Sequence, residues 1–188
     1  WSTVSYVVSD PQPVYYDHEV TVIYEDDLVY QNGQAPIPAE QYNEQAISLA
    51  ASVEQAPPPT PPAVEASGAA TQPTAEWMPL GAWALTQEEK GDAVMFFQIS
   101  VNREGILSGG FQNVMTDENK PITGKVDKQT QRAAWHIGDN ENTVLETGLY
   151  NLTQDVTTVL MHFGKEQTQT WLMVRLPAPQ MPGAPTTV

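Results

Sequence analysis

Four acidic positions and three histidines are the residues of this chain best suited to moving protons. Asp117, Glu118, Asp127 and Glu146 could supply the paired carboxylates of an acid–base reaction. Nothing in their spacing pairs them, and Asp117-Glu118-Asn119 reads as a loop and Asp127-Lys128-Gln129 as a turn. His18, His136 and His162 are the only histidines, and none stands at metal-ligand spacing from a second ligand. His136 and His162 alternate with apolar neighbours, which predicts that they point outward. Asp17, Glu19, Glu25, Asp26 and Asp27 gather the kind of oxygens that calcium takes. The D-x-[DN]-x-[DN]-G loop is missing, so a solvated acidic turn is the expectation. There is no Gly-x-Ser-x-Gly elbow and no phosphate-cradling glycine loop. With no cysteine there is no disulfide, no thiolate metal site and no cysteine nucleophile. The expectation is a protein that is not an enzyme, with no catalytic residue, no metal and no cofactor. A hydrolase built on Asp127 or Glu146 is the minority reading.

Binding chemistry is open to the aromatics. Trp83, Phe111, Trp135 and Trp171 could line the mouth of a barrel and take a small apolar ligand, with Arg132, His136 and Arg175 nearby in sequence as polar anchors. The competing expectation is that these rings simply fill a barrel whose interior is just wide enough for side chains.

The elements that must carry these residues fall into four stretches. Residues 1–54 read as an arm. Thr3-Val4-Ser5-Tyr6-Val7-Val8 is β-branched and aromatic and predicts an extended segment ending at Asp10-Pro11-Gln12-Pro13. Residues 20–24 and 28–31 predict a hairpin around Glu25-Asp26-Asp27, with Asn32-Gly33 as a turn signal. Residues 38–54 predict one helix, with Tyr42, Ala46, Leu49, Ala50 and Val53 on one face. That face is narrow and alanine-rich, so Tyr42, Leu49 and Val53 are expected to meet a partner surface. Residues 55–75 are Pro-rich and predict a stiff linker, and residues 178–188 a Pro/Gly tail.

Residues 76–177 predict a mainly β domain. Eight strand-like runs cover 80–87, 93–102, 106–114, 121–127, 131–137, 143–152, 156–163 and 169–176. Their joints are too short for parallel crossovers, so neighbours should be antiparallel. Eight such strands most simply close into an up-and-down barrel, which leaves no edge. Some strands are apolar on both faces. Met95, Phe97, Ile99 and Val101 share one side, Val94 and Phe96 the other, and the outer set needs cover from the arm or from another chain.

Charge narrows the partners. The 188 residues carry a formal net charge of −15, and all eight Lys and Arg lie at or beyond position 90. Residues 1–89 hold 13 acids and no base, while residues 90–188 are close to neutral at −2. Without a basic stripe the chain is a poor nucleic-acid binder and is repelled by anionic lipid. No run approaches the ~20 apolar residues of a transmembrane helix. Charged residues make up only 16% of the chain and prolines number 16. With few lysines and a Pro/Ala/Thr/Gln-rich linker, this suggests an exported protein. Trp1 is not a start residue, so a processed chain or a fragment is expected.

Two resemblances follow from particular stretches. WMPLGAWAL (77–85), KPITGKVDKQTQRAAWHIGD (120–139), LETGLYNLTQD (145–155) and HFGKEQTQTWLMVRL (162–176) resemble the repeated C-terminal domain of a bacterial family of cell-surface proteins labelled "mu-protocadherin-like". YYDHEVTVIYEDDLVYQNGQ (15–34) and AEQYNEQAISLA (39–50) resemble the same family. The resemblance implies an exported protein. The strand order is also similar to avidin-type barrels, through Gly81-Ala82-Trp83, the hairpin 102–111 and Gln169-Thr170-Trp171-Leu172. The biotin-binding residues of that pattern are not here. Leu85 stands where avidins have Asn, Phe111 where they have Tyr, and a Pro-rich tail where a last strand carries an Asp. Together these lead to an extracytoplasmic, non-enzymatic structural or interaction protein, an accessory to an envelope or cell-surface assembly, whose partners are other protein subunits. A small-ligand binding barrel is the alternative.

Overall fold

The computed structural model describes residues 2–8, 12–18, 20–31, 34–53, 77–87 and 93–177. The expected linker and tail, the turn signal Asn32-Gly33 and Glu19 lie outside the described residues.

The arm begins with a helix, α1 (Ser2–Val7), where the β-branched run predicts a strand. Val4, Val7 and Val8 fall at i, i+3 and i+4, one helical face, and all three are buried in the main core. Six residues cannot hold a helix in water. Docking holds this one, with Val7 against Gly105 and Tyr6 under the Arg103 guanidinium at the end of the barrel. Tertiary burial overrides the strand preference of valine here.

The hairpin forms as expected, from β1 (Val22–Glu25) and β2 (Leu28–Gln31). Asp26 and Asp27 take φ of 48° and 61°, the two successive positive values of a type I′ turn, which aspartate tolerates. A third strand not expected from the sequence, β3 (Ile37–Pro38), pairs with β2, so the order β1-β2-β3 leaves β1 at an edge. The helix α2 (Ala39–Ala51) is shorter than 38–54. Pro38 stands just before its first turn and makes no side-chain cap, and Ser52 ends it by turning both its hydroxyl and its N–H onto the Leu49 carbonyl.

The remaining strands are β4 (Trp77–Thr86), β5 (Met95–Asn102), β6 (Ile106–Asn113), β7 (Glu118–Val126), β8 (Arg132–Ile137), β9 (Asn140–Gly148), β10 (Val156–Phe163) and β11 (Gln167–Arg175). Each pairs antiparallel with its sequence neighbours, and β11 returns to β4 from Leu172↔Thr86 to Arg175↔Trp83. The result is the closed eight-stranded up-and-down barrel that the short joints imply. One expected run, 143–152, is split. β9 ends at Gly148 and Asn151–Thr153 makes a 3-10 turn. A Cβ at Gly148 would come 2.5 Å from Asn151 Oδ1, so the chain folds tightly on itself there.

Side chains alternate as period two requires. Phe97, Ile99 and Val101 turn inward with Leu107, Ile122, Trp135 and Leu145 to form one core. The outward set on β8 to β10 is covered by the arm. Ala46 and Ala50 of α2 pack on Ala134 and Val144, small residues that let the helix lie close. Tyr16, Val22, Val29 and Tyr42 cover Leu160. Arg175 ties one end together. It donates to the carbonyls of Leu80, Leu152 and Gln154 and lies 4.1 Å over the Trp83 ring. Gly81, at φ 134°, makes the β4 irregularity that admits this guanidinium.

Candidate functional site

Neighbouring strands bring the most ionisable residues of the barrel to one patch. Ala134 is paired with Glu146, and Glu146 with Leu160. Arg132, Glu146 and His162 therefore share the outer face of three adjacent strands, and α2 lays Tyr42 over them. Glu146 is fully buried. Its Oε1 accepts from Arg132 Nε at 2.6 Å and from the Tyr42 hydroxyl at 2.9 Å. Its Oε2 lies 2.9 Å from His162 Nε2. An ionised carboxylate only accepts, so that ring nitrogen donates. Arg132 also donates to Gln45 Oε1 at 2.9 Å and stacks 4.0 Å over the Tyr42 ring.

These contacts set the charges. Burial alone pushes the Glu146 carboxyl up, but the Arg132 charge and the hydrogen bonds from His162 and Arg132 outweigh it. The carboxyl is held well below the usual carboxylate range and stays ionised. Burial opposes the Arg132 charge, but Glu146 beside it raises the guanidinium above its ordinary value. Burial, then Glu146, pushes the Tyr42 phenol well up, so it remains a donor.

The chain of contacts continues outward. His162 Nδ1 lies 3.0 Å from Thr168 Oγ1, and Thr168 lines a cavity of about 560 Å³ between the arm and β11. Hydroxyl, imidazole and carboxylate in line have the connectivity of an activated nucleophile. The surroundings work against that use. Glu25, Asp26, Asp27 and Glu166 line the same cavity, and a field of carboxylates disfavours the oxyanion that attack on a carbonyl would create. Glu146 is also neutralised by Arg132 and cannot act as a free base. His18 lines the cavity too. Its Nδ1 meets Thr158 Oγ1 at 3.1 Å, and its Nε2 has no partner among the described residues. Burial lowers its pKa to about 4, so it is neutral at pH 7.

The aromatics come together, inside the barrel. Trp83 and Trp135 are fully buried, and Phe111 nearly so. Phe97, outside the four aromatics named as candidates, links them, with ring centroids 5.2 Å from Phe111 and 6.2 Å from Trp135. Trp171 is half-buried and packs against the same core. The indole N–H groups of Trp83 and Trp135 have no partner among the described residues. Tyr42 faces the barrel of its own chain. Leu49 and Val53 are half-buried, and Leu49 lines a second cavity of about 510 Å³ beside α2.

The other candidates are dispersed. Asp117 sits exposed in the turn before β7, and Glu118 pairs with Lys120. Asp127 Oδ1 accepts the N–H groups of Gln129 and Thr130, an Asx turn. His136 Nδ1 donates to the Gly138 carbonyl. Asp17 closes the turn before β1 through Thr21 and Val20. Among the described residues no group of three His, Asp or Glu is placed to hold a metal ion. His162 points out of the barrel wall, as alternation predicts, but beneath the arm rather than into solvent. Tyr24, Asn43 and Thr168, which join this network, carry no sequence signal. Arg132 with Glu146 does: two opposite charges on the outward parity of neighbouring strands, among alanine and valine, mark a covered face. Comparison with family models, with curated proteins and with solved structures found no match.

Proposed function

We propose that this chain is a non-enzymatic interaction protein, exported and working as an accessory component of an envelope or cell-surface assembly. The observation that carries the reading is what the buried charges are used for. Both Glu146 oxygens and both His162 ring nitrogens are occupied: the Tyr42 hydroxyl ties Glu146 to the arm, Arg132 beside it reaches Gln45 of α2, and the contacts among Arg132, Glu146, His162 and Thr168 join neighbouring barrel strands. The residues best suited to chemistry thus hold two parts of the chain together. Low charge content, few lysines and the likeness to bacterial cell-surface proteins support an extracytoplasmic setting. The acidic cleft beside β1 offers a partner a surface. A ligand-binding barrel has less support, because Trp83, Phe97, Phe111 and Trp135 occupy the interior.

The test is photo-cross-linking in the producing cell, with a photoreactive residue at exposed Ile23 and, as control, at exposed Val156. We expect the protein in an extracytoplasmic fraction, with a discrete adduct from position 23. A cytoplasmic monomer that cross-links to nothing from either position would end the reading.

A further inference from the structure

We propose that the free edge of β1 binds an extended segment of a partner protein bearing lysine or arginine, seated in the acidic cleft between the arm's sheet and β11. This rests on the interaction reading above and gives it a surface. The edge comes first. A two-residue turn makes Glu25↔Leu28 a hydrogen-bonded pair, and alternation makes Ile23↔Tyr30 the next. Val22 accordingly turns away from β2, and its N–H goes to the Asp17 carbonyl at 2.9 Å. Tyr24 has the same parity. Its N–H and carbonyl face off the sheet, where no β-strand among the described residues pairs with them. Such an edge is a template for strand addition.

The cleft beside this edge states the chemistry of the occupant. Glu25, Asp26, Asp27 and Glu166 line it, with no lysine or arginine among the described residues of its walls. The nearest base in sequence, Lys165, is drawn aside to Glu44 at 2.7 Å. The cleft also has apolar surface in Ile23, Ala39 and Leu160. An extended chain puts alternate side chains on opposite faces, so one set can meet carboxylates and the other apolar wall. His18 adds an independent sign. It lines the cleft, is 5% exposed, and its Nε2 has no partner among the described residues. A buried polar atom left this way is costly unless something supplies its hydrogen bond. This chain's own long stretches 54–76 and 178–188 contain no lysine or arginine, and the short stretch 88–92 holds a single base, Lys90, so a basic extended segment points to another molecule.

The experiment selects binders to the whole protein from a random decapeptide display library. Selected peptides are then titrated against the wild type, against E25K/E166K and against the neutral E25Q/E166Q. Exchange of the Tyr24 amide is followed by NMR. We expect basic residues enriched at alternate positions, binding weakened at least about tenfold by the charge reversal and less by neutralisation, and new protection of the Tyr24 amide. Peptides with no basic enrichment, binding equal in all three proteins, or an unprotected Tyr24 amide would overturn the proposal, as would a selection that yields nothing. If spermidine competes with the peptides and neither protects Tyr24, the cleft is a small-cation site and the strand proposal fails. A cross-linked native partner mapping away from β1 would sink this inference while leaving the interaction reading standing.

Discussion

Glu146 shows how a residue that looks reactive in sequence becomes structural. Replacing it by glutamine leaves Arg132 buried without its counter-charge, and breaking such a pair costs about 3–5 kcal/mol. Urea unfolding of E146Q should show that loss with an unchanged slope. The same residue sets part of the acid limit. Its folded pKa is depressed, so its contribution is complete above about pH 4.5, its unfolded value, and is lost as pH falls further toward the folded one. His18 acts earlier. Its pKa falls from 6.5 to about 4 on folding, so the unfolded chain binds the extra proton. Its contribution is complete above pH 6.5 and is lost as pH falls toward 4. H18Q should therefore lose less stability than the wild type between pH 7 and 4, by on the order of 3 kcal/mol in pH-resolved urea curves. A variant that tracks the wild type through that window would refute the assignment. Little of this network is legible in sequence. Periodicity placed His162 on the outward face, but it cannot say that α2 lies over that face. Trp83, Phe111, Trp135 and Trp171 were legible as a set because they share the inward parity of their strands.

At the scale of elements, strand alternation and short joints were strong signals, and the eight barrel strands follow them closely. The errors lie where tertiary contact decides. Thr3 to Val8 has a strand's composition and a helix's spacing, and docking of three valines chose the helix. β3 is two residues long and contains a proline, so no local pattern announces it. The end of the run 143–152 was lost to a tight turn that depends on Asn151, whose side chain bonds Tyr16 of the distant arm. The β4 irregularity offers a check on a glycine with a definite task. Gly81 combines φ 134° with a space that Arg175 fills. G81A should cost about 1–3 kcal/mol, read as a lower melting temperature. A melt indistinguishable from the wild type would show that neither the backbone angle nor the guanidinium matters.

Across the whole molecule, arm and barrel share buried surface on β8 to β10, and the base-free segment 1–89 takes in the whole arm together with the barrel's first strand, β4. The acidic segment is not an appendage, since its helix and sheet form the cover of one barrel wall. If a protease site is placed near residue 66 and cut, residues 1–53 should still elute with the barrel in gel filtration. Separation of the two pieces would show that the polypeptide connection, rather than the Glu146 contacts, holds them. The closure of β11 on β4 has a further consequence, for the order of events as the chain is made. The barrel's first strand finds its second neighbour only when residues 172–175 exist, and most of the pairing surface for the arm lies in residues 132–163. The arm therefore emerges well before the wall it covers. Until then Tyr16, Val22, Val29 and Tyr42 have no wall to cover, and strand edges awaiting partners aggregate. That segment carries 13 acids and no base, and like charge of that size makes such waiting copies repel one another.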